Sequence, residues 1–441
     1  MSLQPPNHTV RLLTLFLSLC LSAVAYGQRV DSVKRQLNID LEILGQGETR
    51  NGGFPTNSEK TADNSNFVVG RTRLIANYAQ RGLDAKVIGQ NSAVWGMKDN
   101  ANFKLYEAWA RLSTKFGLFA QIGRIALAYD DERIIGPNDW ATFAMSHDAL
   151  RLGFENKQHK AHLILAYNQN GEVVTDGGSY YSDGAQLYKT MQTLWYHFDV
   201  PSFPLGISVL AMNIGMQSGT KGKDEHVEWQ QMVGGYAKFA PRHFSFEASY
   251  YRQMGKEEHG LKLQAWMLAL KAHFMPSDFY GLYAGYDYLS GDENFAVPAQ
   301  GALGLTRHEK LKGFSPVYGS HVKFYGAMDY FYFSSQYGSF TPGLQNAYAG
   351  GYVRPFKGFQ VGAAYHYMAM ATKLQDMNMT LGHEIELSAS YKFSKDVQLM
   401  AGYSYMTGTK TMERLKRASD SGKLRWGWLA LVVSPRIFTS K

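Results

Sequence analysis

The strongest constraint in this sequence is an alternation of period two that returns along most of its length. Leu37, Ile39, Leu41 and Ile43 alternate with Asn38, Asp40 and Glu42, and Ile385, Leu387, Ala389 and Tyr391 alternate with Glu384, Glu386, Ser388 and Ser390. A helix would gather residues three and four apart on one face, so these patterns specify strands with one apolar and one polar side. Charge recurs on the polar side. Glu107, Trp109 and Arg111 interleave with Tyr106, Ala108, Ala110 and Leu112, while Arg151, Gly153 and Glu155 interleave with Leu150, Leu152 and Phe154.

Roughly 18 such segments can be counted. The connections between them fall into two classes. Short turns such as Gln80 to Gly82, Thr114 to Gly117, Asn156 to His159 and Phe393 to Lys395 join segments in pairs. Longer polar stretches, including Gln46 to Asn66, Asp130 to Ser146, Gly171 to Gln186, Gly408 to Arg425 and Gly291 to Gly343, separate the pairs. This asymmetry predicts an all-β fold: a transmembrane antiparallel β-barrel of about 18 strands, with short periplasmic turns and long extracellular loops. The segment Trp426 to Phe438 would close onto the first strand and leave no edge in lipid. Gly291 to Gly343 is too long for a structureless loop and is expected to pack into the barrel mouth, with a short helix near Arg307 to Leu311.

Composition supports this reading: 44 Gly, 28 Tyr and 25 Phe stand beside only 13 Pro, the usage of strands, tight turns and an aromatic interface girdle. Tyr196, Trp266, Tyr286 and Trp428 read as members of that girdle rather than as a sugar-stacking path. Beyond Ala25 no apolar run approaches the roughly 20 residues of a spanning helix.

Arg11, the apolar run Leu12 to Ala25 and the small residues Ala23, Ala25 and Gly27 form a signal-peptide pattern. The expected domains are a leader at 1–27 and a barrel at 28–441. The single cysteine, Cys20, lies in that leader, so no thiol, disulfide or thiolate metal site is expected in the mature chain. About ten residues separate the cleavage site from Leu37, too few for the plug of a large energised receptor.

The net charge of +8 is dispersed along the chain rather than gathered in a tail or helix, which argues against nucleic-acid binding. No H-E-x-x-H, G-x-S-x-G or P-loop occurs, and His159 with His162 lacks a third ligand. No enzyme activity, cofactor or metal site is therefore expected.

The stretch Leu118 to Asp131, with Glu132, Arg133 and Trp140 after it, resembles the alginate-export family of outer-membrane channels. Gly123, Arg124, Asp130, Asp131, Arg133 and Trp140 carry the likeness, supported by Arg71 and Arg73, by Trp95 and Gly96, and by the run from Phe314 through Tyr318, Lys323 and Gly326 to Phe331. The resemblance implies an 18-stranded barrel with an arginine-lined constriction that passes a polyuronate outward. It makes Arg71, Arg73, Arg124 and Arg151 candidate pore residues.

The chemistry of these side chains points the same way. Inward guanidinium groups offer fixed donors to carboxylates and concentrate anions. Glu107, Arg111 and Glu155 are expected beside these arginines at the pore; the alternative is a structural ladder in which Arg71, Arg73, Arg124 and Arg151 are paired with Glu107, Glu155 and nearby carboxylates. Asp130, Asp131 and Arg133 read as a gate or calcium-binding loop, or else as a solvated turn. Lys312, His321 and Lys323 would bring charge to an inward or capping segment.

The function expected is a bacterial outer-membrane channel with anion preference, passing small solutes or an anionic polysaccharide. A non-conducting display barrel and a barrel hydrolase are the alternatives. The lipid bilayer and, during biogenesis, the barrel-assembly machinery are the expected partners.

Overall fold

The computed structural model describes residues 35–51, 65–98, 100–140, 144–168, 188–220, 223–257, 259–293, 310–331, 342–374, 376–416 and 421–440. The expected signal peptide, the whole of the loop 171–186 and about half of the stretch 291–343 lie outside these residues.

Twenty strands are present among them: β1 (Gln36–Asn51), β2 (Ser65–Gln80), β3 (Leu83–Val94), β4 (Asn102–Ser113), β5 (Leu118–Ile125), β6 (His147–Glu155), β7 (His159–Tyr167), β8 (Thr190–Asp199), β9 (Leu205–Ser218), β10 (His226–Phe239), β11 (Phe244–Lys256), β12 (Lys262–Phe274), β13 (Tyr280–Leu289), β14 (Lys310–Leu311), β15 (Leu344–Val353), β16 (Phe359–Ala369), β17 (Thr380–Lys392), β18 (Val397–Gly408), β19 (Leu424–Val433) and β20 (Arg436–Thr439). Setting aside the two-residue β14 and the extension β20, eighteen strands form one closed antiparallel barrel.

Closure is made by β1 against β19, from Ile43 opposite Val433 to Asn51 opposite Arg425. Pro435, which has no N–H, interrupts the last strand, and its carbonyl accepts from Leu41 N at 3.0 Å. Beyond it β20 resumes pairing with the start of β1. The first and last strands are thereby joined edge to edge, as lipid requires.

The alternation becomes an inside and an outside. Leu74, Ile122, Leu194, Val209, Leu282, Leu387 and Leu429 are each more than half exposed, and their register places them on the outer face, where lipid covers them. Phe116, Phe203, Phe279, Phe356 and Phe393 ring the short-turn end, so phenylalanine supplies much of the periplasmic girdle. Trp428 departs from the girdle reading. It points into the lumen and lies against Gly402, where an added Cβ would come within 2.4 Å of the indole.

A bulge also shifts one strand. The register slips between Ile88 and Gly89 on β3, opposite Tyr106 and Glu107. Both side chains are consequently buried, and Tyr106 leaves the outer face to lie 4.4 Å beneath the Arg73 guanidinium. The helix expected near Arg307 to Leu311 is corrected in its described part: Lys310 and Leu311 extend as β14, parallel to Lys262 and Leu263. Their backbone pairs with the free upper end of β12 instead of with itself.

Candidate functional site

Two connections turn into the lumen instead of outward. One follows β5 and contains Tyr129 to Trp140; the other runs from Lys312 to Phe331. They join through a parallel bridge between Ile135 and Tyr318. Gly136 N donates to Tyr318 O at 2.9 Å, Tyr318 N to Ile134 O at 3.1 Å and Ser320 N to Glu132 O at 2.9 Å. The approach is close enough that a Cβ on Gly136 would come within 2.3 Å of Ser320 Oγ. Side chains reinforce it: Ser320 Oγ donates to Glu132 at 2.9 Å, Lys323 pairs with Glu132 at 2.6 Å, and Asn138 meets His321 at 2.7 Å.

The wall holds this joined unit from several sides. Arg133, almost fully buried, pairs with Asp131 at 3.2 Å and with Asp287 of β13 at 3.1 Å. It also donates to Tyr325 at 3.1 Å and stacks 4.1 Å over Phe324. Glu384 and Glu386 of β17 accept the backbone N–H groups of Met328 and Ala327 at 2.9 and 2.7 Å. Gln253 of β11 exchanges two hydrogen bonds with the backbone of Ser315.

On the opposite wall Arg71 bonds Glu42 at 2.8 Å and the carbonyl of Asp139 at 2.6 Å, while Arg73 pairs with the Asp139 carboxylate at 2.7 Å. Trp195 donates to Asp130 at 3.1 Å. Burial in this setting raises the Asp130 pKa, hydrogen bonds from Ser208 and Trp195 oppose the rise, and Asp131 adds to it.

Between the inward unit and strands β10 to β17 lies a cavity of about 560 Å³. Asp130, Asp131, Glu132, Glu247, Asp287 and Glu386 face it together with Arg133, Lys238, Lys271 and Lys323. Its wall is thus mixed in charge, with Tyr236, Tyr283 and Tyr348 between the ions. Such a surface suits hydrated, charged solutes better than apolar ones.

The sequence-selected residues divide. Arg71, Arg73, Glu107, Arg111, Arg151 and Glu155 stand on the inward register. Arg111 pairs with Glu155 at 2.8 Å and Glu107 with Lys86 at 2.6 Å, while Arg151 bonds Gln121 and Tyr129. Asp130, Asp131, Arg133, His321 and Lys323 come together inside the barrel, and His321 meets Asp329 at 2.6 Å.

Arg124 is a correction. It shares the outward register of Leu118, Ala120 and Ile122 and pairs with Asp148 at 2.7 Å on the outer surface. Lys312 also lies apart, at the solvent-exposed end, paired with Glu293 at 2.9 Å. Among the described residues no group of three or more His, Cys, Asp or Glu is arranged to hold a metal.

Sequence reasoning did not select Glu132, Asp287, Ser320, Glu384 or Glu386 for this site. For the two glutamates alternation showed the inward face, but nothing in the sequence named the backbone they hold.

A family model for alginate export matches residues 55–415. No curated protein sequence matches. Several solved outer-membrane structures share the fold. Pseudomonas aeruginosa OccK2 (OpdF), solved in complex with glucuronate, aligns with a TM-score of 0.61 at 10% identity over 91% of this chain and 98% of its own. Pseudomonas aeruginosa OpdO aligns with a TM-score of 0.61 at 11% identity over 91% and 98%. Acinetobacter baumannii OccAB1 aligns with a TM-score of 0.60 at 11% identity over 91% and 97%.

Proposed function

Since the chain belongs to the alginate-export family of outer-membrane barrels, we propose that it is a passive, anion-preferring channel for small carboxylated solutes or segments of an anionic polysaccharide. The supporting observation is the lumen itself: a closed barrel narrowed by two bridged inward connections beside a polar cavity of about 560 Å³. Arg71, Arg73, Arg111 and Arg151 on one side of the inner wall, and Lys238 and Lys271 on the other, would raise the local concentration of anions. The carboxylates paired with several of them keep that preference modest. The glucuronate bound by OccK2 has the size and charge of the solute class proposed. No cofactor or chemical step enters this function, and the barrel-assembly machinery would insert the chain.

The test is single-channel recording of the refolded mature chain in a planar bilayer under a salt gradient. Steady conductance with a reversal potential favouring anions supports the proposal. A cation-selective current removes the anion preference. A silent barrel favours display, to which the bridge between the inward connections would then give a structural purpose.

A further inference from the structure

At the short-turn end of the barrel a second cavity, also of about 560 Å³, opens beside the turn between β15 and β16. Arg354, Lys357, Lys392 and Asp278 line it on one side, and Phe279, Phe356 and Phe359 form its aromatic other side. Three cations therefore face one carboxylate residue. No ion pair joins Arg354, Lys357 or Lys392 to a carboxylate among the described residues. Arg71, Arg73, Lys86, Arg111, Arg133 and Lys238, elsewhere on the inner wall or the inward connections, each have one. Like charges held around a common space repel, and an anion entering that space removes the repulsion.

The guanidinium is held in place for this role. Arg354 Nε donates to Gln360 at 2.9 Å, Nη1 to the carbonyl of Asp278 at 3.4 Å, and the group lies 4.5 Å over the Tyr352 ring. These contacts fix its plane without neutralising its charge. A fixed fork can accept two oxygens of a carboxylate or phosphate at once, and the two flexible ammonium groups add point charges beside it.

Strand parity shows which face of the wall these side chains occupy. Gln360 and Ser390 are cross-strand partners, and Lys392 lies two residues beyond Ser390, on the same inward face as Glu386. Phe359 and Tyr391, the adjacent pair, face outward. Lys392 and the Gln360-bound guanidinium of Arg354 therefore lie on the lumen side of the rim, Lys357 in the turn itself, and Phe279, Phe356 and Phe359 on the outer side of the same cavity.

From this we infer that the periplasmic mouth carries an oxyanion-capture site, built by Arg354, Lys357 and Lys392, for carboxylate- or phosphate-bearing solutes entering from the periplasm. The inference rests on the channel reading and deepens it by assigning a side of loading.

The experiment measures citrate and inorganic phosphate binding calorimetrically to the mature chain in nanodiscs of neutral phosphatidylcholine. The expected result is citrate binding that weakens at least tenfold in Arg354→Gln/Lys392→Gln and tightens two- to threefold in Asp278→Asn. Absence of citrate binding, or equal binding in the double variant, overturns the site. Nanodiscs containing phosphatidylglycerol distinguish the other source of an oxyanion. Unchanged citrate affinity supports the lumen assignment, whereas displacement of citrate by that lipid overturns it in favour of a headgroup. Potassium chloride conductance of the double variant tests the channel reading separately, because the bridged constriction is untouched. Full conductance of the unsubstituted chain with no citrate binding to it would sink the site alone, whereas a silent unsubstituted barrel would sink the channel reading.

Discussion

Arg133 and Asp287 meet at 3.1 Å inside the barrel, one on a connection that has turned into the lumen and the other on the wall strand β13. Both are almost completely removed from solvent. The pair ties the inward unit to the side of the barrel opposite Arg71 and Arg73. Breaking one partner of a buried pair leaves an uncompensated charge at a cost of about 3–5 kcal/mol. Arg133→Met should lower the thermal unfolding midpoint and produce larger, noisier conductance steps, and Arg133→Met/Asp287→Asn should recover much of the loss. Equal behaviour of the single and double variants would exclude this pair as the anchor.

Glu384 offers a second point of control. Its carboxylate accepts the buried Met328 N–H, and Gly326 beside it has a φ of +89° with Glu384 Oε2 only 2.3 Å from where a Cβ would stand. Glu384→Ala should cost about 1–3 kcal/mol through the unsatisfied amide, while Glu384→Gln, which keeps an acceptor, should cost less. Gly326→Ala should cost more than about 1 kcal/mol, because both the backbone angle and the space are wrong. Chemical unfolding of the three variants in detergent checks the order.

Asp130 predicts a pH dependence of definite sign. Burial raises its folded-state pKa above the ordinary 3.8, so in the window above 3.8 the native state binds more protons than the unfolded chain. Stability contributed by this group therefore falls as pH rises through the raised value, and increases as pH is lowered toward 3.8. Asp130→Asn should flatten that slope while keeping an acceptor for Trp195. Unfolding midpoints of both proteins between pH 4 and 7 decide it, and parallel slopes would refute the assignment.

The arginines should separate by register. Arg111→Gln or Arg151→Gln removes an inward charge worth about 0.5 kcal/mol to an ion roughly 8 Å away in a water-like dielectric; anions lose and cations gain that amount, so the anion-to-cation permeability ratio falls by up to about sixfold. Arg124→Gln, on the outer face, should leave the reversal potential unchanged. A larger shift for Arg124 than for Arg111 would contradict the orientation described.

Much of this protein was legible as pattern. Strand number, the inward placement of Glu107, Arg111, Arg151 and Glu155, and the split between short turns and long connections all follow from period-two alternation, because a strand in a barrel wall has only two directions for a side chain. Even the outward position of Arg124 was contained in its parity with Leu118, Ala120 and Ile122. The likeness to an arginine-lined family drew it toward the pore.

Tyr106 was not legible, since one extra residue in a bulge reverses parity locally. Nor were the partners of the inward connections. Segments such as 126–140 and 312–331 lack periodicity, so their paths depend on where complementary groups from distant strands happen to face. The joining of Ile135 to Tyr318, Arg133 to Asp287 and Met328 to Glu384 was decided only when the barrel closed. Sequence alone determined that strand residues such as Arg111, Arg151, Glu155, Glu384 and Glu386 share the polar inner face, because pleating is local; where Arg133 goes and which charges meet are properties of the closed circumference, because charge pairing acts across space.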